Sequence, residues 1–202
     1  LLINLLINNE KSIVCSIANV AVDGLLLKMI SLVNEYKKNY NIDLLSGKKI
    51  IRLGYSQSEE VRNISQIKFE SEKLIEISSQ IQVVSDKIST FDDIDQADKE
   101  SKLILISHRD SLKREYEKEI KKLIADSNII FLTSSKYIVE KSIHDISYDN
   151  LIIDEGSMMS IPHLMCLGSN INKRIVISGD FQQLGPIVIS RSSSSIKWLH
   201  KD

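Results

Sequence analysis

Along this chain, short apolar runs alternate with longer stretches in which apolar residues recur every three or four positions. Ile13-Val14-Cys15-Ser16-Ile17 is bounded by polar residues and reads as a buried strand. From Asn19 to Val33 the apolar residues Val22, Leu25, Leu26, Met29, Ile30 and Val33 keep helical spacing. Ile50-Ile51-Arg52-Leu53 before Gly54 is a second strand. The pattern resumes late, with strands at Ile129–Thr133, at Leu151-Ile152-Ile153 and at Arg174–Ser178, and a short final one at Ile187-Val188-Ile189. Residues 1–9 read as the end of a helix closed by Asn8-Asn9. Short apolar strands alternating with helices predict an α/β fold with a parallel sheet and crossover helices.

Between about Glu59 and Asp126 the texture changes to one aliphatic position every three or four residues among many charges. Ile67, Leu74, Ile81 and Ile88 recur every seven residues, with Ile77 and Val84 three places after their neighbours, as in a two-helix seam. Asp92-Asp93-Ile94-Asp95 interrupts it, and Leu112, Tyr116, Ile120 and Leu123 then share one helical face. Two helices with a short acidic break predict an antiparallel hairpin rather than a dimeric coiled coil. A pair of ordinary surface helices is the plainer alternative. The expected organisation is a core at 1–58, an inserted hairpin at 59–126 and a second part of the core at 127–202.

Composition narrows the function. The net charge of -1 excludes a binder of nucleic acid by bulk charge, though not a local basic patch. Aromatics at 5% argue against a broad base-stacking platform. The chain has only 7 Gly and 2 Pro, and both prolines, Pro162 and Pro186, fall in the last quarter with Gly156, Gly168, Gly179 and Gly185. Turn chemistry is therefore concentrated late. No G-x-x-x-x-G-K-[ST] string occurs; Ser46-Gly47-Lys48-Lys49 is nearest and reads as a turn. Two separate cysteines, Cys15 and Cys166, give no disulfide framework and favour a reduced, cytoplasmic setting. No apolar run approaches the ~20 residues of a membrane span. The first residue is Leu, and the chain is expected to be a piece cut at both ends.

Three places carry candidate chemistry. Asp154-Glu155 follows an apolar strand, at the edge where open α/β sheets bind ligands. Phosphoryl transfer needs one carboxylate for Mg²⁺ and another group to orient the attacking water, so Asp154 suits the metal and Glu155 the base. A solvated turn is the alternative. Gly179-Asp180-Phe181-Gln182-Gln183-Leu184-Gly185-Pro186 also follows a strand, and Asp180 lies 26 residues beyond Asp154, which leaves room for one strand-helix-strand unit. A Gln there can donate its amide to a phosphate oxygen, or the segment is a tight loop without a ligand. Ala18-Asn19-Val20-Ala21-Val22-Asp23 opens a helix after the first strand, where free N–H groups suit a nucleic-acid phosphate. The alternative there is a cap by Asn19 with Asp23 in the first turn.

In order and spacing these elements resemble superfamily 1 helicases of the nonsense-mediated-decay and Senataxin type. The resemblance covers nearly the whole chain but only part of the first RecA-like motor domain. Ala18–Asp23 resembles motif Ia, Phe131-Leu132-Thr133-Ser134-Ser135 motif Ic, Ile153-Asp154-Glu155 motif II (Walker B) and Gly179–Pro186 motif III. The hairpin stands at the 1B position. The resemblance implies a RecA-like P-loop NTPase core, incomplete and with an inserted hairpin, that uses ATP and Mg²⁺ on single-stranded DNA or RNA. It implies that Asp154 binds Mg²⁺, that Glu155 activates water, and that Asp180 and Gln183 belong to the nucleotide site, with Gln183 sensing the γ-phosphate. It also implies that Asn19, Thr133 and Ser134 touch the nucleic-acid backbone. The Walker A segment and second motor domain are then the expected partners from the same parent chain, and residues 1–202 alone are expected not to turn over ATP.

Met158 departs from the family, which usually has Gln there; a thioether offers no amide donors. Two other classes stay open: a non-catalytic, helicase-derived binding or interaction module, and an ATPase with a coiled-coil arm. His108, His144, His163 and His200 show no metal-ligand spacing with Cys. Trp198 is expected to be a packing anchor, and Arg52 to pair with an acid or a phosphate.

Overall fold

The computed structural model describes residues 1–47, 49–56, 58–64, 67–69, 72–91, 96–180, 182, 185–186 and 192–193. It divides into two units, one of residues 1–69 and 126–202 and the other Glu70–Ala125.

The first unit is built on a six-stranded sheet, ordered β3-β2-β4-β1-β5-β6. The strands are β1 (Ser12–Ser16), β2 (Ile50–Arg52), β3 (Ile67–Phe69), β4 (Ile129–Thr133), β5 (Tyr148–Ile153) and β6 (Ile171–Ile177). Every pairing is parallel. The helices of this unit are α1 (Leu2–Ile7), α2 (Asn19–Tyr40), α3 (Glu59–Arg62), α6 (Ser134–Val139), α7 (Lys141–His144) and α8 (Ile161–Gly168). Strand β1 lies between β4 and β5 and is buried throughout. That burial explains its unbroken apolar reading, because a parallel sheet covered on both faces has no polar side to show. Val14, Ile50, Ile129 and Phe131 pack with Leu26, Met29, Ile30 and Val33 of α2. Their neighbours Ile13, Cys15, Ile130, Leu132, Leu151 and Ile153 point to the opposite face and are buried as well.

Helix α2 runs beyond Val33 to Tyr40 and ends on Asn41 in the left-handed conformation, φ 55°, whose N–H donates to the Lys37 carbonyl at 2.8 Å. Lys37 and Lys38 in its last turn complement the helix dipole. Asn9 closes α1 in the same left-handed way, φ 55°.

The second unit contains α4 (Glu72–Ser89) and α5 (Gln96–Ala125), which pack on each other. Ile77, Val84 and Leu112 are buried between them, flanked by Ile81, Ile88, Leu105 and Tyr116. Lys73, at the start of α4, pairs with Glu115 at 3.0 Å and Glu119 at 3.1 Å, late in α5, so the helices run antiparallel. The insert begins at Glu70 rather than residue 59, because Glu59–Arg62 is a helix of the sheet unit and Ile67–Phe69 pairs with β2. Ile67 thus keeps the seven-residue interval by position only; it is a strand residue. Asp92–Asp95 and the expected strand at Ile187–Ile189 lie outside the described residues, as does Trp198.

Two polar clusters tie the sheet unit together, one at each end of its strands. At the amino edge, Glu10 accepts from Arg174 Nη1 at 2.8 Å, Asn150 Nδ2 at 3.0 Å and Lys173 Nζ at 3.3 Å. The Arg174 guanidinium, followed by Asn150, holds the Glu10 carboxyl below the usual carboxylate range. At the carboxyl edge, the fully buried Arg52 donates from Nε to Asp23 Oδ1 at 2.8 Å, while Ser56 Oγ donates to Asp23 Oδ2 at 2.8 Å. Arg52 therefore pairs with an acid.

Two outcomes follow. Asp23→Ala leaves the Arg52 charge buried and unpaired, and is expected to cost about 3–5 kcal/mol in urea unfolding. Because the Glu10 pKa is lowered on folding, its stabilisation is complete above the ordinary value of 4.5 and is lost as pH falls through the lower folded value. Glu10→Gln should flatten that acid limb in thermal denaturation measured across this range.

Candidate nucleotide and strand site

A parallel sheet sends every strand's carboxyl end to one edge. The chain leaves β1 through α2 toward β2 on one side, and leaves β5 through α8 toward β6 on the other. The crevice above the β1–β5 boundary is thus a topological switch point, the usual ligand position in such sheets. Asp154 and Glu155 stand there.

Backbone hydrogen bonds clamp the end of β5 on both sides. The Asp154 N–H donates to Cys15 O at 2.9 Å, Ser178 N–H to Ile153 O at 2.8 Å, and Gly156 N–H to Ser178 O at 2.8 Å. Between these clamps Glu155 takes a left-handed conformation, φ 57° and ψ 34°, followed by a 3-10 turn at Gly156–Met158. Such a conformation costs a non-glycine residue on the order of 1–3 kcal/mol. The Glu155 carboxylate is held as well: Ser16 Oγ, at the end of β1, donates to its Oε2 at 3.2 Å. Asp154 is half-buried, and its carboxylate has no hydrogen-bond or ion-pair partner among the described residues. A hard cation that keeps several waters fits such a lone carboxylate. Among the described residues no three His, Cys, Asp or Glu side chains form a metal cluster.

Gly156 and Gly179 are required by close approach. A Cβ on Gly156 would collide with Ile177 Cγ2, and one on Gly179 would lie 2.8 Å from Ser157 N. Ser157 Oγ is buried without a hydrogen-bond partner among the described residues. The Asp180 carboxylate accepts from Gln182 N–H at 2.9 Å, which folds the turn after β6. Gln183 lies outside the described residues. Cys15 is buried, and burial pushes its thiol up to about 12, so it is no nucleophile at neutral pH.

The expected strand contacts lie over the other half of the same edge, and the structure separates their roles. Asn19 does not cap α2; Ala18 is the cap residue and makes no side-chain cap bond. Instead Asn19 Oδ1 accepts from Arg52 Nη2 at 2.8 Å, which leaves its amide N–H groups as donors. Thr133 caps α6, its hydroxyl accepting from Lys136 N–H at 3.2 Å. Ser134 is 1% exposed and its hydroxyl has no hydrogen-bond partner among the described residues, so its side chain faces into the fold. Ser16 and the link from Arg52 to Asn19 escaped sequence reasoning. Their signals were a hydroxyl inside an apolar strand and a charge at the end of another.

Gly156→Ala is expected to destabilise the protein by about 1–3 kcal/mol through overpacking against Ile177. Gly24→Ala, in the middle of α2 with nothing within 4 Å of the added carbon, should stabilise it by about 0.5–1 kcal/mol. Chemical denaturation of the two variants checks both signs.

A comparison with curated proteins finds no match. The sequence matches the family model described as the AAA domain over residues 4–191, nearly the full chain. The parallel α/β sheet, with paired acids at its switch point, agrees with the RecA-like core of that family. The chain belongs to the AAA domain family found in superfamily 1 helicases of the nonsense-mediated-decay and Senataxin type.

Proposed function

We propose that this chain is the nucleotide- and strand-handling core of an ATP-dependent superfamily 1 helicase or translocase. The observation that carries the proposal is the Asp154-Glu155 turn at the switch point, with one carboxylate lacking a partner among the described residues and the other held by Ser16. In this reading Asp154 holds Mg²⁺, in part through water, and the bound ion supplies charge neutralisation at the phosphate oxygens. Glu155 orients the attacking water and takes its proton. The left-handed backbone and the Ser16 hydroxyl fix where that carboxylate can point, which is the preorganisation such a base needs. Asp180 shapes the turn after β6, and Gln183 senses the γ-phosphate. Asn19 Nδ2 and the Thr133 hydroxyl donate to phosphates of a single strand, and Ser134 supports that turn from within. The α4–α5 hairpin acts as the family's 1B element, leaning on nucleic acid. The two separate cysteines favour work in a reduced, cytoplasmic setting.

A second reading is a helicase-derived binding module without turnover, and Met158 favours it because it lacks the amide donors usual at that place. The experiment that decides is Glu155→Gln in the intact protein. Nucleotide binding should stay close to wild type while Mg²⁺-dependent turnover falls by about 10²–10⁴-fold. Turnover within about threefold of wild type would exclude Glu155 as the base. Strand binding by a wild-type protein with no turnover at all would favour the binding module.

A further inference from the structure

We propose that Tyr55 is a base-stacking residue for the single strand, mounted beside the phosphate contact at Asn19; this rests on the strand-binding reading above. Exposed Phe, Tyr or Trp side chains among the described residues are two, Tyr40 and Tyr55. Tyr40 has a ring neighbour, with its centroid 4.6 Å from that of Tyr36, and sits at the far end of α2. Tyr55 is 66% exposed at the carboxyl edge, and among the described residues its ring has no hydrogen bond or ring contact.

The backbone under this ring is fixed. Gly54, φ +90°, turns the chain out of β2, and the Tyr55 carbonyl accepts from Arg52 Nη2 at 3.2 Å. The same nitrogen donates to Asn19 Oδ1 at 2.8 Å. One buried guanidinium therefore sets both a donor for phosphate and an aromatic face in water. A strand needs both at neighbouring points: a hydrogen-bond donor for its backbone and a flat face for its base. Every base has a π-face, so the contact is blind to sequence. A chain with few aromatics can still supply it with one ring in a fixed place.

The test is fluorescence anisotropy of the whole chain with labelled single-stranded DNA and RNA oligomers, and with an abasic oligomer of equal length. Tyr55→Ala should bind the base-bearing oligomers about 5- to 100-fold more weakly and the abasic one unchanged. Tyr55→Phe should stay within about twofold of wild type, because stacking uses the face and not the hydroxyl. Equal binding by Tyr55→Ala and wild type, or an equal loss on the abasic oligomer, overturns the stacking role alone. Absence of binding by wild type overturns the strand-binding reading and this inference with it.

Discussion

All six strands point the same way, and that single constraint decides where chemistry can occur. Each strand delivers its last residue to one edge: Ser16 from β1, Arg52 from β2, Thr133 from β4 and Ile153, with Asp154-Glu155 behind it, from β5. Residues more than a hundred positions apart in sequence then become neighbours, as Ser16 and Glu155 do at 3.2 Å. The opposite edge receives the strand beginnings, and there Glu10, Asn150, Lys173 and Arg174 form a cluster that ties the link between α1 and β1 to β5 and β6. Its role is cohesion. The two polar networks have similar chemistry, and their places in the topology set them different tasks.

The carboxyl edge contains a second division. Over β1, β5 and β6 the groups are acids and close backbone turns, suited to a metal and phosphates. Over β2 and β4 they are Arg52, Asn19, Thr133 and Tyr55, suited to a polymer. Arg52 is the joint of the second group. A buried ion pair is often no more stabilising than apolar side chains of similar volume, so its pairing with Asp23 alone explains little. Its remaining donors do more: they hold Asn19 Oδ1 and the carbonyls of Leu53 and Tyr55. A hydrophobic replacement would fill the space and leave three loop and helix positions without an anchor.

The parallel sheet was legible because burial on both faces writes unbroken apolar runs, as in Ile129–Thr133. The paired acids were legible because they break such a run abruptly. Strand β3 was not: Ile67–Phe69 is a three-residue strand whose isoleucine falls in step with the heptads that follow, so local spacing favoured the helix. The insert boundary moved for the same reason. The short helices α6 and α7 have too few residues to establish a period. The resemblance implies that Ser134 touches the nucleic-acid backbone; only the fold shows that its side chain turns inward. Gln183 remains a proposal from resemblance.

Backbone conformation supplies an independent reason to place function at Glu155. Among the described residues five have positive φ: Asn9, Asn41, Gly47, Gly54 and Glu155. Four of these are Gly or Asn, the residues that enter the left-handed region at least cost. Glu155 alone goes against that preference, and it does so next to Gly156, where a collision with Ile177 leaves room for nothing larger. Glycine was therefore compatible with the local turn, yet the strained position carries a long carboxylate. Among the described residues the Glu155 carboxylate makes one hydrogen bond, from Ser16, worth about as much as the strain costs. Folding stability alone thus gives no reason for Glu here. A side chain held at no net gain to the fold, at the switch point of a parallel sheet, supports the role proposed for Glu155 above.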